Sequence, residues 1–102
     1  MRNARALDAA IVKAAIDPGA FYAAEFPGWK AKRAQTWNEG PLCPFHADSH
    51  TGSFRVHTGT GQFMCFSCGA RGGDVISFVQ RRLALSFVDA LAHLAETWGI
   101  AR

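Results

Sequence analysis

The chain has 102 residues and a formal charge of +3, with 49% apolar and 19% charged residues. This length supports one domain with one core, and this composition excludes intrinsic disorder as a description of the whole chain. The apolar runs are far shorter than the ~20 residues of a membrane helix, and the start lacks the apolar stretch of a signal peptide, so we expect a cytoplasmic protein without membrane contact.

The positive charge is concentrated in the middle of the sequence. Residues 28–82 contain seven basic and three acidic residues, which gives a local charge of +4 and leaves −1 for the remainder. A basic region of this size favours contact with phosphates, although it is too small to establish nucleic-acid binding by itself.

The first part of the chain predicts two helices and then an irregular segment. Residues 5–16 are alanine-rich with apolar residues at helical spacing, and we interpret residues 1–16 as an additional N-terminal helix. Asp17 followed by Pro18 is typical of an N-cap with proline in the first helical position, which predicts a second short helix. Residues 29–37 have no clear period and predict a loop or an irregular strand.

The second part predicts a β-hairpin followed by two helices. Residues 53–65 contain an alternating strand, a Thr-Gly turn and a returning strand. Asp74 can cap a helix that turns Leu83 and several other apolar residues inward. Ser86 opens a capping-box pattern for a last helix, with Phe87 on its apolar face.

Two pairs of metal-binding residue types flank the predicted hairpin. Cys43 and His46 stand three positions apart, as do Cys65 and Cys68, and this spacing lets a tight turn aim both side chains at one ion. Three cysteines cannot close as a set of disulfides, and four protein ligands leave no position for water, so the pattern predicts one structural Zn²⁺. The alternative is a set of small buried cysteines beside an incidental histidine, which would need both pairs to flank a hairpin by chance. The other histidines are expected outside the metal site: His50, His57 and His93.

At these residues the chain resembles the amino-terminal zinc-binding domain of bacterial DNA primases, a zinc ribbon with ligand order Cys-His-Cys-Cys. The matching segments are Cys43-Pro44-Phe45-His46 with Leu42, residues 53–56, 63–70, 73–78 and 85–100, and the resemblance extends over about residues 17–100. It implies an α+β fold over residues 17–102, with a small antiparallel sheet and flanking helices. It also implies binding of single-stranded template DNA and help to a catalytic domain in choosing where primer synthesis starts. The loop after His46 lacks the lysine and proline usual in that family and is about one residue longer. If that loop reads the template sequence, we expect its preference to differ or to be lost.

The resemblance and the charge distribution together select candidate DNA-binding residues. The basic candidates for phosphates are Lys30, Lys32, Arg33, Arg55 and Arg71, and the aromatic candidates for base stacking are Trp37 and Phe66.

The sequence also predicts a non-catalytic role. Its eight acidic residues are spread along the chain and form no cluster for catalytic metal ions, so we expect no enzyme activity from this chain alone. The expected partner is a catalytic primase chain or domain, and a replicative helicase is a further candidate. Two alternatives remain open: a zinc-stabilised module that docks on a replication protein without touching DNA, and a mobile-element regulator that binds duplex DNA.

Overall fold

The computed structural model describes residues 7–101, which contain four helices and one four-stranded antiparallel sheet. The bounds are α1 Ala9–Ala14, α2 Pro18–Glu25, β1 Trp37–Glu39, β2 Phe54–His57, β3 Phe63–Cys65, β4 Arg71–Gly72, α3 Val75–Leu83 and α4 Phe87–Thr97. The predicted α+β class is therefore confirmed. None of the helices in this part of the chain is long and apolar enough to cross a membrane.

Aspartate side chains begin the two N-terminal helices. Asp17 Oδ2 accepts the backbone N–H of Ala20 at 2.8 Å, so α2 begins where the sequence predicts. The first helix is shorter than predicted, because Asp8 caps it and accepts the N–H of Ala10 at 2.8 Å. Residues 1–6 of that predicted helix lie outside the described residues.

The two C-terminal helices also begin at the predicted caps. Asp74 and Ser86 each accept the backbone N–H of the residue three positions later. The inward orientation predicted for Leu83 was wrong, since this residue is 47% exposed, and Phe87, predicted on the apolar face of α4, is 48% exposed. Leu83 ends α3 and Phe87 begins α4, so both flank a short surface connection rather than the core.

The sheet has the order β1-β2-β3-β4, and each neighbouring pair is antiparallel. The hairpin of β2 and β3 is confirmed, with Phe54, Val56 and Phe63 buried on its inner face. The edge strand β4 was not predicted, and only the first residue of β1, Trp37, lay in the segment predicted as a loop or an irregular strand. Both have only two or three residues, too few for an alternating pattern to be recognised.

Phe78 of α3 joins the separate elements in one core. Its ring centroid lies 5.2–5.9 Å from five other aromatic rings, at distances typical of favourable aromatic pairs. The partners are Phe21, Tyr22, Phe26, Phe45 and Phe63. Val12 and Ile16 are buried in the same cluster, so α1 shares this core. The domain boundary at residue 16 stays a prediction.

Candidate metal centre

Two turns bring the four predicted metal ligands together. Cys43 and His46 lie between β1 and β2, whereas Cys65 ends β3 and Cys68 lies in the turn that leads to β4. One ligand atom from each residue can be chosen so that all four lie within 4.8 Å of one another. The hairpin of β2 and β3 therefore brings Cys65 and Cys68 close to Cys43 and His46.

The distances within this cluster fit a tetrahedral zinc ion. The sulfur atoms of Cys43 and Cys68 are 3.8 Å apart, and Cys65 Sγ is 3.8 Å from Nδ1 of His46. A tetrahedron with Zn–S bonds of ~2.3 Å and a Zn–N bond of ~2.0 Å has S–S edges of about 3.8 Å and S–N edges of about 3.5 Å, close to both observed distances. Thiolates and an imidazole are also the donors that zinc prefers in structural sites, so the residues present fit this ion.

Backbone N–H groups point at two of the sulfur atoms. Phe45 N lies 3.4 Å from Cys43 Sγ, and Cys68 N lies 3.5 Å from Cys65 Sγ. Burial would raise the pKa of the Cys65 thiol, but N–H groups of Cys68 and Ser67 lower it below its ordinary value. Burial dominates at Cys43 and raises the pKa of its thiol to about 12. Zinc binding must therefore displace a proton from Cys43.

Asp48 lies beside the first pair of ligands. Its Oδ2 accepts the backbone N–H of Cys43 at 2.8 Å, and its Oδ1 lies 3.6 Å from Nε2 of His46. The hydrogen bond from the Cys43 N–H is the main reason that the pKa of Asp48 is lowered. The Asp48 carboxylate therefore places a negative charge next to Cys43 and His46.

The remaining histidines lie outside the cluster, as predicted. His50 is exposed, with Nδ1 2.9 Å from Ser49 Oγ. His57 has a structural role that the sequence did not reveal, because its Nδ1 accepts the N–H groups of Gly59 and Thr60 in the hairpin turn. His93 lines a surface pocket with α2 residues and Trp98.

Four of the predicted DNA-binding residues lie on the outer face of the sheet or at its edge. We define the outer-face set as Trp37, Arg55, Met64, Phe66 and Arg71. Trp37 is 38% and Phe66 70% exposed, and both line a surface pocket of about 160 Å³ together with Arg55 and Met64. A second pocket of about 440 Å³ shares Trp37 and Met64 and extends to Arg71.

The other three basic candidates lie in a loop before β1. The backbone N–H groups of Lys32 and Arg33 both donate to Oδ1 of Asn38, at 2.8 and 3.0 Å, and the Asn38 amide donates back to the Arg33 carbonyl. Asn38 is only 4% exposed, and adjacent residues of a strand point to opposite faces, so this loop is anchored on the side of β1 away from Trp37. Lys30 is exposed just before the loop.

Comparison with known proteins bears directly on the metal site. A family described as the CHC2 zinc finger matches residues 30–102, which include all four ligand positions. The chain belongs to the CHC2 zinc finger family. The predicted resemblance and the predicted zinc cofactor are thereby confirmed, because the family and the four clustered residues agree on one zinc ion.

Relatives of this CHC2 zinc finger are DNA primases. The DNA primase of Deinococcus radiodurans is 52% identical over 59 residues, which are 58% of this chain and 10% of that protein. The DNA primase of Thermotoga maritima is 49% identical over 59 residues, with the same two shares. A crystal structure of the zinc-binding and RNA polymerase domains of Aquifex aeolicus primase matches with a TM-score of 0.65 and 28% identity, over 91% of this chain and 22% of that chain. The chain thus corresponds to a primase zinc-binding domain and spans about a tenth of the length of these relatives.

Three residues near the sites of this CHC2 zinc finger were not predicted from the sequence. Met64 lies opposite both Arg55 and Arg71 in the strand register, so the alternation of β3 could have placed it on the outer face. Asp48 stands two positions after a ligand histidine, a spacing that could have been recognised. Asn38 gave no local signal, since its partners lie in a loop that has no period of its own.

Proposed function

We propose that this domain binds single-stranded template DNA across the outer-face set and assists a catalytic primase in template recognition and primer initiation. The observation that carries this proposal is the pair of exposed aromatic residues, Trp37 and Phe66, which both line one surface pocket. Aromatic rings left in solvent on a sheet face can stack on unpaired bases, and each stacked base contributes about 1–3 kcal/mol.

Charged residues beside these rings can guide the phosphates. Arg55 and Arg71 are exposed, and each pairs with Met64 of β3 in the strand register. One positive charge therefore lies on each side of β3. Glu39 lies opposite Arg55 in β1 and partly offsets its charge. Two phosphate contacts imply weak to moderate binding that declines with salt.

The loop of Lys30, Lys32 and Arg33 is a second basic surface. A single DNA strand bound to the outer-face set would have to pass around β1 to reach this loop, because Asn38 anchors the loop on the opposite side of β1. We therefore assign the aromatic face as the primary contact and the loop as an extension for longer strands.

The metal site supports this role without taking part in chemistry. A bound zinc ion would be fully coordinated by Cys43, His46, Cys65 and Cys68, which leaves no position for a substrate or an activated water. Phosphoryl transfer would then require a separate catalytic primase chain or domain, and we propose that this domain makes no primer alone. The Aquifex aeolicus structure, with separate zinc-binding and RNA polymerase domains, is consistent with such a division.

A second candidate function is protein docking, and one observation favours it. Three apolar side chains are exposed around the connection between α3 and α4: Leu83, Phe87 and Val88. Such a patch could bind a catalytic primase or a replicative helicase. This role is compatible with DNA binding on the sheet, because the two surfaces share no residue.

The deciding experiment compares a labelled single strand with the matching duplex over a range of salt concentrations. We expect the single strand to bind more tightly. We expect Glu39→Gln to strengthen binding, since it removes the negative charge opposite Arg55 while the Trp29 indole can still donate to the Glu39 backbone carbonyl. Tighter duplex binding would favour a duplex-binding regulator, and no binding to either would favour the docking module.

A primer-synthesis assay tests the accessory role. Labelled nucleotides, template and a catalytic primase fragment are combined with and without this domain. We expect product only when the catalytic fragment is present, and more of it when the domain is added in trans. Product from the domain alone would contradict a non-catalytic role, and an unchanged yield would contradict the accessory role.

A further inference from the structure

The carboxylate of Asp48 contacts both ligands of the first cysteine-histidine pair. Its side chain is only 9% exposed, which is unusual for an aspartate in a polar surface loop. One oxygen accepts the Cys43 N–H at 2.8 Å, and the other lies 3.6 Å from His46 Nε2. A single side chain therefore spans the turn between the two ligands.

The imidazole of His46 is oriented in a specific way. Its Nδ1 faces the sulfur cluster, 3.8 Å from Cys65 Sγ, and its Nε2 faces the Asp48 carboxylate. A neutral imidazole carries one N–H, and a nearby carboxylate favours the tautomer with hydrogen on the nitrogen that faces it. At His46 this tautomer has hydrogen on Nε2, which leaves the Nδ1 lone pair free for zinc.

We propose that Asp48 is a positioning residue for the zinc site and acts mainly through His46. The contact of 3.6 Å is electrostatic rather than a hydrogen bond, so its effect is to select the tautomer that leaves Nδ1 free for the metal. The hydrogen bond to Cys43 fixes the same turn from the other end. Asp48 is not a fifth ligand, because its oxygens are directed to Cys43 N and His46 Nε2 and it is not among the clustered donors.

The magnitude follows from the behaviour of comparable metal sites. Removal of the partner that orients a ligand histidine typically weakens metal affinity 10- to 100-fold. Asp48→Asn is the informative substitution, since its carbonyl oxygen can still accept the Cys43 N–H. Its uncharged amide cannot favour hydrogen on His46 Nε2 as the carboxylate does.

The experiment measures the zinc dissociation constant of the full chain by competition with a chromophoric chelator. We expect Asp48→Asn to bind zinc at least tenfold more weakly, with an unchanged circular dichroism spectrum when saturated. Asp89→Asn, at an exposed site on α4, is the matched control and should leave the constant unchanged. Equal constants for the parent and Asp48→Asn would refute the proposal.

A second background separates action through His46 from action through the turn. In His46→Cys the site becomes a four-thiolate site, a known zinc arrangement, and no imidazole remains to orient. We expect Asp48→Asn to change zinc affinity less than threefold in that background. An equal loss in both backgrounds would show that Asp48 acts only on the Cys43 turn and would overturn the proposal.

The tautomer itself provides a readout that does not depend on affinity. Nitrogen NMR of the zinc-loaded parent should show His46 with metal on Nδ1 and hydrogen on Nε2. The opposite assignment, with metal on Nε2, would also overturn the proposal.

Discussion

Replacement of Phe66 by alanine tests the proposed DNA-binding face most directly. The side chain is 70% exposed, so about 30% of its surface is in contact with the rest of the domain. If a phenylalanine has about 200 Å² of surface, this fraction is about 60 Å², worth at most ~1.5 kcal/mol of folding free energy. The variant should therefore remain folded well below its melting temperature.

The expected loss of DNA binding cannot be explained by this effect on folding, because the variant remains folded. A stacked base contributes about 1–3 kcal/mol, so loss of this contact should increase the dissociation constant about 5- to 150-fold. The ring carries no charge, so the slope of affinity against salt concentration should not change. By contrast, Arg55→Ala should reduce this slope by about 0.7, as expected for one lost phosphate contact with a single strand.

Fluorescence anisotropy with a labelled oligothymidylate of about 12 nucleotides measures both quantities at several salt concentrations. Phe87→Ala is the matched control, because Phe87 is another exposed phenylalanine but lies on α4. An unchanged dissociation constant for Phe66→Ala would refute the stacking argument. A loss of the same size in Phe87→Ala would also refute it, since the effect would not be specific to the sheet.

Three further predictions concern the metal, the packing and the pH dependence of stability. Cys65→Ser should abolish stoichiometric zinc binding and unfold much of the hairpin, as measured by metal analysis and circular dichroism; full zinc occupancy with unchanged melting would contradict the assignment. Gly72→Ala should destabilise the domain by about 1–3 kcal/mol in urea, because its Cβ would lie 2.5 Å from the Phe63 ring and 2.7 Å from Ser77 Cβ. Gly73→Ala meets no atom within 4 Å and is the control; equal losses in both would exclude the steric cause. Burial raises the pKa of Glu25 in the fold, so the carboxylate form costs stability as pH rises through that pKa. Glu25→Gln should therefore raise Tm near pH 8, with a gain that shrinks on acidification, and a lower Tm at that pH would contradict this sign.

The metal site could be predicted because its information is local. Two short cysteine and histidine spacings and an alternating strand determine which side chains converge, and the structure brings those side chains together. The helix caps at Asp17, Asp74 and Ser86 were predictable for the same reason, since each bonds a backbone group three positions away.

Features that depend on distant partners could not be predicted in this way. Asn38 and Thr58 are buried polar residues, and Thr58 Oγ1 donates to the carbonyl of Arg33, 25 positions away in sequence. These bonds place the basic loop, so the sequence could name its lysines and arginine but not the side of the sheet on which they lie. Helical spacing predicted that Leu83 turns inward, but spacing does not indicate whether the end of a helix extends beyond the elements packed against it, and Leu83 is 47% exposed.

Side chains alternate between the two faces of the sheet, so core residues and surface residues are separated. This separation would help redesign of the outer face. Phe54 and Val56 of β2 and Phe63 and Cys65 of β3 are buried, whereas Arg55 and Met64, each between the two members of a pair, face outward. A library confined to outward positions would vary the shape and charge of the surface while it leaves the aromatic core unchanged. The domain is therefore a suitable scaffold for selecting new ligand preferences, with zinc content as a simple check that each selected variant is still folded.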